Sequence, residues 1–271
     1  MNSGRKLSYR GMRTALKRIL KSNGVTLLLP IVVIGCAAPA AYNANTGQIA
    51  IRPASSGLIQ QGAAAFEKYK KIKPISRDAN TRAKVNRVAN RLKPVVNLPG
   101  ARWEFEVFED SSANAFALPG GKVGVNTGLL KIAQTDGQLA AVVAHEMAHV
   151  TSNHAQSRIQ RNQTVALGGA ILGAVLSGAE NGQQLGQLAQ QGGEIAFGLT
   201  FSRAQELEAD RIGTLFMARA GYDPAEAITL WQKMGASQQS RTPELLSTHP
   251  VSSTRIQKLR EFMPTAQAQR R

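Results

Sequence analysis

Cysteine, acidic residues and long apolar segments are all scarce in this chain of 271 residues. The single cysteine, Cys36, excludes an intramolecular disulfide, so the fold must be stable without one. The apolar segments 25–34 and 165–178 are shorter than the about 20 residues that a membrane-spanning helix needs. No internal repeat is present. One domain with a single hydrophobic core is therefore predicted.

The shortage of acids leaves the chain strongly basic. Seventeen acidic residues oppose 33 lysines and arginines, which gives a formal charge of +16. Many of the cations lie in residues 77–93, where they alternate with Val85, Val88 and Leu92. This pattern indicates a basic helix face that is either solvated or rests on anionic lipid. No nucleic-acid-binding motif accompanies the charge, so nucleic acid is not an expected partner.

The first 35 residues have the organisation of an export signal. A basic segment, residues 1–21, is followed by the apolar run 25–34, and a glycine precedes Cys36. A small residue directly before a cysteine resembles a bacterial lipoprotein signal, whose cleavage would leave Cys36 as a lipid-modified first residue. Ala37 after the cysteine, by analogy with enteric bacteria, predicts sorting to the outer membrane. The alternative is an uncleaved amino-terminal anchor with an incidental cysteine.

Two histidines four residues apart, His145 and His149, flank Glu146 in a segment of good helix formers. On an α-helix they share one face, one turn apart, so both imidazoles can reach a single ion. Glu146 lies about 100° further around the axis, where it can take a proton from metal-bound water. Apolar residues before the motif predict a buried helix, in which these groups would be costly without a metal. The pattern predicts a zinc site.

A catalytic zinc usually takes three protein ligands and leaves the fourth position for water. Residues 201–213 are predicted to be helical, and within them Glu206 and Asp210 share a face. We therefore expect Glu206 to be the third ligand and Asp210 to hold the free nitrogen of one ligating histidine. Glu208 falls roughly 200° from Glu206 and is expected to point elsewhere. The alternative is that these acids only decorate a solvated helix face.

With these residues the chain resembles the gluzincin metalloendopeptidases of the HtpX, Oma and CAAX-prenyl-protease group. The resemblance covers most of residues 60–262 and fits the soluble, lipid-anchored bacterial branch best. No tetratricopeptide-type repeats follow residue 263, which favours a compact, LoiP-like form over a BepA-like one. Four motifs in the family order carry the resemblance: Asn114–Gly121, His145–His149, Ser202–Arg203 with Glu206 and Asp210, and Thr248–Pro250 followed by Arg255.

The resemblance implies a role for His249, which corresponds to a histidine that lies near the metal in the family. There it either stabilises the oxyanion or blocks the zinc until activation, and Arg255 accompanies it. From the residues alone, a histidine before a proline is more typical of a surface turn.

The resemblance also implies a substrate-binding edge strand, against which zincins hold an extended peptide by backbone pairing. From the residues alone, this segment forms an ordinary hairpin with Lys122–Asn126 through the Pro119–Gly121 turn. Both interpretations are compatible with one structure. The implied substrate-binding residues are Asn114, Ala115, Phe116 and Ala117.

The predicted fold is α+β: a mostly helical, zincin-like metalloprotease domain with a small antiparallel sheet and a helix that carries the His-Glu-x-x-His motif. Residues 1–35 are the predicted signal peptide, 36–53 a tether, 54–263 the zinc metalloendopeptidase domain and 264–271 a polar tail. Periodicity predicts helices at 57–71, 80–92 and about 136–154, a strand at 103–108, and helices from 206 onward with breaks at 221–224 and near 243.

Together these expectations describe an endopeptidase of the bacterial cell envelope, on the periplasmic face of the outer membrane, that acts on unfolded or misassembled proteins. Glu146 would activate a zinc-bound water and return its proton to the leaving amine. The alternative is an envelope chaperone or assembly factor with a mainly structural or latent zinc; Glu146 argues against this, because a structural site needs no base. Residues 165–178 are predicted as a core helix or, alternatively, a flap over the cleft.

Overall fold

The structure is a computed structural model that describes residues 42–43, 46–162, 200–236 and 244–270. The predicted signal peptide, Cys36, the segment 165–178 and the predicted break near 243 lie outside these ranges. No helix within the described ranges has both the length and the apolar character needed to cross a membrane.

Seven helices and five strands have both ends within the described residues, and the predicted mostly helical α+β fold is confirmed. Further helical residues, 154–162, lead up to the end of a described range. The strands are β1 (Tyr42–Asn43), β2 (Gln48–Ile49), β3 (Glu104–Phe108), β4 (Ala115–Leu118) and β5 (Lys122–Asn126). The helices are α1 (Ser56–Ile72), α2 (Ala79–Leu92), α3 (Asp136–Thr151), α4 (Arg203–Arg219), α5 (Glu226–Ala236), α6 (Glu244–Thr248) and α7 (Ser253–Gln267).

The larger sheet is mixed, with strand order β3–β5–β4. β4 and β5 form the predicted antiparallel hairpin, but β3 pairs with β5 in parallel, so the antiparallel prediction was wrong for that pair. The reason is topological: the chain reverses between β3 and β4 and again in the hairpin turn, and β5 therefore runs in the direction of β3. Gly120 and Gly121 make the tight turn possible, since both have φ near +85° (85° and 87°). β4 lies at the edge of this sheet, as predicted.

Helix α3 lies at the centre of the fold. The Thr135 side chain caps its amino terminus by accepting the N–H of Gln138, and every residue from Gln138 to Thr151 is buried. A helix that is buried on all sides needs neighbours around it. Helix α3 packs against α2, α4, α5 and β4. The contact with α4 is the most extensive. It is close because a Cβ at Gly213 would lie only 3.0 Å from the backbone nitrogen of His145.

Part of the predicted tether belongs to the folded domain. β1 and β2 pair antiparallel, and the ring of Tyr42 packs edge-on against Phe262 at 5.9 Å. The backbone N–H of Arg52 donates to the carbonyl of Thr151 at 2.8 Å, at the end of α3. Two-residue strands leave too little periodicity in the sequence to be recognised. The described residues of the predicted tether thus contact the domain.

The predicted polar tail is also partly structured. Helix α7 continues past residue 263 to Gln267, and Ala266 is fully buried. Pro264 lies inside this helix, which explains why the sequence indicated an earlier end.

The basic helix α2 uses several of its cations to hold the fold together. Arg87 forms a bidentate salt bridge with Asp136 in the first turn of α3, at 2.6 and 2.8 Å. Lys84 donates to the carbonyls of residues 133 and 134, and Arg91 donates to the carbonyl of Ala220 while it covers the ring of Tyr222. These side chains are therefore engaged with the protein's own chain, and the solvated-face interpretation fits them better than lipid contact.

Candidate metal centre

Four buried side chains converge at one point: His145, His149, Glu206 and His249 each offer a ligand atom, and these atoms all lie within 4.8 Å of one another. The two histidines of α3 face each other, with 3.0 Å between their Nε2 atoms. Glu206 lies opposite, with its carboxylate oxygens 3.5 Å from Nε2 of His145 and 3.4 Å from Nε2 of His149. The structure therefore brings together the three ligands predicted from the sequence.

Glu206 reaches this point because α4 begins three residues before it. The Ser202 side chain accepts the N–H of Gln205, and the Gln205 side chain accepts the N–H of Ser202 in return. This reciprocal cap sets the start of α4, and the first turn then carries Glu206 towards α3. Burial alone would raise the pKa of Glu206, but His249 and the two histidines of α3 hold that pKa well below its ordinary range. Glu206 is therefore an anionic carboxylate that faces imidazole nitrogens.

The spacing of these atoms fits a tetrahedral metal ion. With metal–ligand bonds of about 2.0 to 2.1 Å, two ligand atoms of a tetrahedral zinc lie roughly 3.3 Å apart. The distances among His145, His149 and Glu206 run from 3.0 to 3.5 Å. Two imidazoles and one carboxylate are also a donor set that zinc enzymes use. The residues present therefore fit a zinc ion.

Asp210 sets the orientation of His145. Its Oδ1 lies 3.0 Å from Nδ1 of His145, so the ring donates its Nδ1–H outward and turns Nε2 towards the cluster. Arg255 holds Asp210 from the other side, at 2.5 Å from Nε to Oδ2 and 2.8 Å from the second nitrogen to Oδ1. Burial would raise the pKa of Asp210, but the Arg255 guanidinium outweighs it and keeps this pKa below its ordinary value.

The point between the two Nε2 atoms attracts positive charge. Burial by itself lowers the pKa of His145, yet the carboxylates of Asp210 and Glu206 raise it to about 9. A proton or a metal cation must separate two imidazole nitrogens that lie 3.0 Å apart, since two lone pairs would repel each other. A divalent cation bound by both nitrogens and by Glu206 meets this requirement.

Glu146 lies beside the cluster and is 2 % exposed. Burial raises the pKa of its carboxyl group, against the opposing effect of His249 and His145. The backbone N–H of Ala117 in β4 also hydrogen-bonds this carboxylate, whereas Oε1 is buried without a hydrogen-bond partner. A carboxylate with a raised pKa next to a bound metal is suited to take a proton from a water at that metal.

His249 comes closer to the cluster than a surface turn would allow. Its Nδ1 lies 2.9 Å from Oε1 of Glu206 and 3.2 Å from Nε2 of His145, and its Nε2 lies 3.3 Å from Oε1 of Glu146. Arg255 donates to the backbone carbonyl of His249 at 3.4 Å, so the two residues predicted to act together are in contact. Nδ1 of His249 therefore stands where a fourth ligand would stand.

Residues 78–263, about two thirds of the chain, match the peptidase family M48. This chain belongs to that family. The matched range contains all four residues of the cluster, and the relatives described next are named as metalloendopeptidases or proteases. The cluster is thus part of an M48 metallopeptidase domain.

Among similar proteins, mitochondrial metalloendopeptidase OMA1 of Schizosaccharomyces pombe is 38% identical over 188 residues, which are 69% of this chain and 54% of the relative. The beta-barrel assembly-enhancing protease of Escherichia coli K12 is 33% identical over 253 residues, 88% of this chain and 52% of the relative. Metalloprotease LoiP of the same strain is 29% identical over 229 residues, 77% of this chain and 88% of the relative. The chain spans about half the length of the first two.

The M48 domain places the predicted substrate strand next to the site. Ala117 in β4 contacts Glu146 through its backbone, and Asn114 directly precedes the strand. Phe116 has a different use, because its ring packs against Tyr69 at 4.9 Å and against Phe66 and Phe108 at slightly over 6 Å. Ala115 is buried in the main core. These contacts show how residues 115 and 116 pack within the domain; substrate binding by residues 114–117 stays a prediction.

Sequence reasoning missed His154 in this M48 domain. Its Nδ1 lies 2.8 Å from Nδ1 of His149, on the side of that ring away from the cluster. A position five residues after His149 does not share its helical face, but α3 ends at Thr151 and Asn153, with φ of 50°, turns the chain back. Glu208 points away from the cluster as expected, and lies 3.5 Å from Nε2 of His154. The extra histidine near the motif was the available signal.

Proposed function

We propose that this protein is a zinc-dependent endopeptidase of the bacterial cell envelope, which cleaves unfolded or misassembled proteins. One observation carries the proposal: the Nε2 atoms of His145 and His149 and the carboxylate of Glu206 lie 3.0 to 3.5 Å from one another, beside the buried carboxylate of Glu146. A closed structural site would have no need of a general base. Membership of the M48 family supports proteolysis as the reaction.

Different residues would bind the metal, transfer the proton and position the ligands. His145, His149 and Glu206 would hold the ion, which when bound supplies an acidified water and polarises the peptide carbonyl. Glu146 takes the proton of the attacking water and delivers it to the leaving amine. Asp210 and Arg255 keep the ligands in place, because Arg255 contacts both Asp210 and, at 2.6 Å, Oε2 of Glu206.

The position of β4 supports unfolded polypeptides as substrates. β4 pairs with β5 on one side and lies at the edge of the described sheet, while its Ala117 backbone reaches the catalytic carboxylate. A substrate that pairs with an edge strand must itself be extended, which folded proteins rarely offer. The relative named a beta-barrel assembly-enhancing protease supports misassembled envelope proteins as the substrate class.

The proposed location depends on residues 1–36. The basic and apolar segments followed by Cys36 support export and lipid anchoring, and thus a membrane-bound enzyme on the periplasmic face of the outer membrane. No nucleic-acid partner is proposed. Mass spectrometry of the amino terminus of the mature protein tests the anchor: a lipid-modified Cys36 is expected, and an unmodified Cys36 in the mature protein would contradict it.

The position of His249 favours a second function, that of an assembly factor with a mainly structural or latent zinc. With Nδ1 of His249 at 2.9 Å from Oε1 of Glu206 and 3.2 Å from Nε2 of His145, the cluster offers four protein ligand atoms rather than three. Such a closed site is typical of structural zinc, and an assembly factor with a latent metal centre would look like this.

Cleavage of unfolded casein distinguishes the two functions. Purified mature protein with zinc should degrade casein, and chelation should stop it. Glu146→Gln should keep the metal and lose cleavage, by at least about 100-fold for a missing general base. Glu109→Gln is the matched control, because Glu109 is exposed and is not one of the residues of the cluster. Undiminished cleavage by Glu146→Gln would contradict the endopeptidase proposal; stoichiometric zinc with no cleavage by the wild type would favour the assembly factor.

A further inference from the structure

The two ligand histidines of α3 are held from behind in different ways. His145 donates directly to a carboxylate, Asp210, at 3.0 Å. Behind His149 lies a second imidazole, His154, with 2.8 Å between the two Nδ1 atoms, and both rings are almost fully buried. At this distance one Nδ1 must carry a hydrogen and the other must accept it. Which nitrogen donates decides whether Nε2 of His149 is free to bind a metal.

Glu208 decides the direction of this hydrogen bond. Its Oε2 lies 3.5 Å from Nε2 of His154, a charge contact at the outer limit of hydrogen-bond distance, and an ionised carboxylate can only accept a hydrogen. A hydrogen on Nε2 of His154 therefore faces Glu208, which leaves Nδ1 of a neutral His154 as an acceptor. His149 must then donate its Nδ1–H, and its Nε2 presents a lone pair to the cluster. Glu208 thus sets the tautomer of His154, and His154 in turn sets the tautomer of His149.

The segment that precedes α1, residues 52–53, holds Glu208 in place. Arg52 binds Oε1 of Glu208 at 2.8 Å, and its backbone N–H donates to the carbonyl of Thr151. The Asn153 side chain donates to the carbonyl of Pro53 at 3.2 Å, which fastens the turn between α3 and His154 to the same segment. Gln205 in the first turn of α4 donates to the carbonyl of His154. The segment 52–53 and the first turns of α4 thus fix the position of His154 and of the carboxylate that faces its ring.

We propose that His154 is a positioning residue of the metal centre: oriented by Glu208, it accepts the Nδ1–H of His149 and so presents Nε2 of His149 to the metal. The proposal rests on the metal site of the proposed function, but not on proteolysis. Outer partners of this kind typically change metal affinity by about 10- to 100-fold when removed. His154 does not touch the substrate or the ion.

Metal affinity measured by competition with a chromophoric chelator tests the proposal without any cleavage assay. His154→Leu retains bulk but cannot accept a hydrogen bond, and should weaken zinc affinity about 10- to 100-fold. His154→Asn places an amide oxygen near the position of Nδ1, and should restore affinity to within a few-fold of the wild type. In the Co²⁺-loaded protein, the visible absorption spectrum should change in His154→Leu and return in His154→Asn.

A purely structural histidine would behave differently. It would make both variants less stable without separating their metal affinities, and equal affinities for His154→Leu and the wild type would overturn the proposal. If His154→Leu does not fold, Glu208→Ala provides the second arm, because Glu208 is partly exposed and alanine removes the acceptor that faces Nε2 of His154. It should weaken zinc binding several-fold relative to the matched exposed control Glu109→Ala, and no difference would overturn the proposal.

The outcome is separable from that of the proposed function. A wild-type protein that binds zinc without cleaving casein contradicts the endopeptidase and leaves the affinity series to decide the role of His154. Failure of the wild type to bind zinc at all would overturn both.

Discussion

Helix α2 and the pair formed by α3 and α4 both carry many charged side chains, and they place them in opposite environments. On α2, Arg87 is exposed and meets Asp136 at the surface. Between α3 and α4, Glu146, Glu206 and Asp210 are all at most 4 % exposed. A charge buried in this way is strongly unfavourable unless it is paired, whereas an exposed charge costs almost nothing.

This difference separates a functional cluster from a solvated face. The buried acids are matched one by one: Asp210 with Arg255 and His145, Glu206 with the histidines, and Glu146 with the Ala117 backbone. Such an arrangement has a cost in stability that packing alone would avoid, and clusters of this kind mark functional sites. The exposed cations of α2 only attach neighbouring segments to one another.

Removal of a buried partner should have the largest effect on stability. Asp210→Ala removes one of the two carboxylates that face the buried Arg255 guanidinium and leaves only Glu206, and it should lower the free energy of unfolding of the metal-free protein by about 3 to 5 kcal/mol. Asp136→Ala, at the exposed pair, should lower it by about 1 kcal/mol or less. Urea denaturation followed by circular dichroism measures both. Similar losses of unfolding free energy in the two variants would contradict the distinction between buried and exposed pairs.

The close contact between α3 and α4 should be the next most sensitive point. In Gly213→Ala the new methyl group would lie 3.0 to 3.2 Å from backbone atoms of residues 144 and 145, which cannot move without shifting the ligand helix. We expect a loss of about 1 to 3 kcal/mol. Gly235→Ala, in α5 with nothing within 4 Å, is the control and should be neutral or stabilising, since alanine favours helix. A stable Gly213→Ala protein would contradict the packing described.

His249 should have a smaller effect, on activity rather than on stability. Because its Nδ1 stands at a fourth ligand position, His249→Ala should open the site and raise cleavage of unfolded casein several-fold at saturating zinc. His249→Gln serves as a control that retains a polar group. A fall in kcat with unchanged KM would instead indicate that His249 stabilises the developing oxyanion.

The smallest effect is expected at the surface of α2. Arg87→Ala removes the exposed contact with Asp136, and should shift the midpoint of thermal unfolding by no more than the measurement error. Raising the salt concentration should reduce any residual difference further, because salt screens exposed charges. A large destabilisation by Arg87→Ala would mean that α2 contributes more than an exposed pair can.

Much of the metal centre could be predicted from the sequence, because helix geometry is local. The i, i+4 relation aligned His145 with His149 and Glu206 with Asp210, and the structure brings these groups together. The direction of β3 relative to β5 could not be predicted, since alternation along a strand carries no information about its partner. His154 was missed for a related reason: a turn at residues 152 and 153 breaks the helical relation on which the reasoning depended.

By itself, the sequence determined which side chains are available for a metal, the helices that carry them, and the family to which they belong. Only the tertiary structure decided how far His249 enters the cluster, and that Glu208, His154 and Arg52 form a line behind His149. Contacts within one helix follow from a fixed rise and rotation per residue. Contacts between segments that are distant in the sequence depend on how the whole core packs.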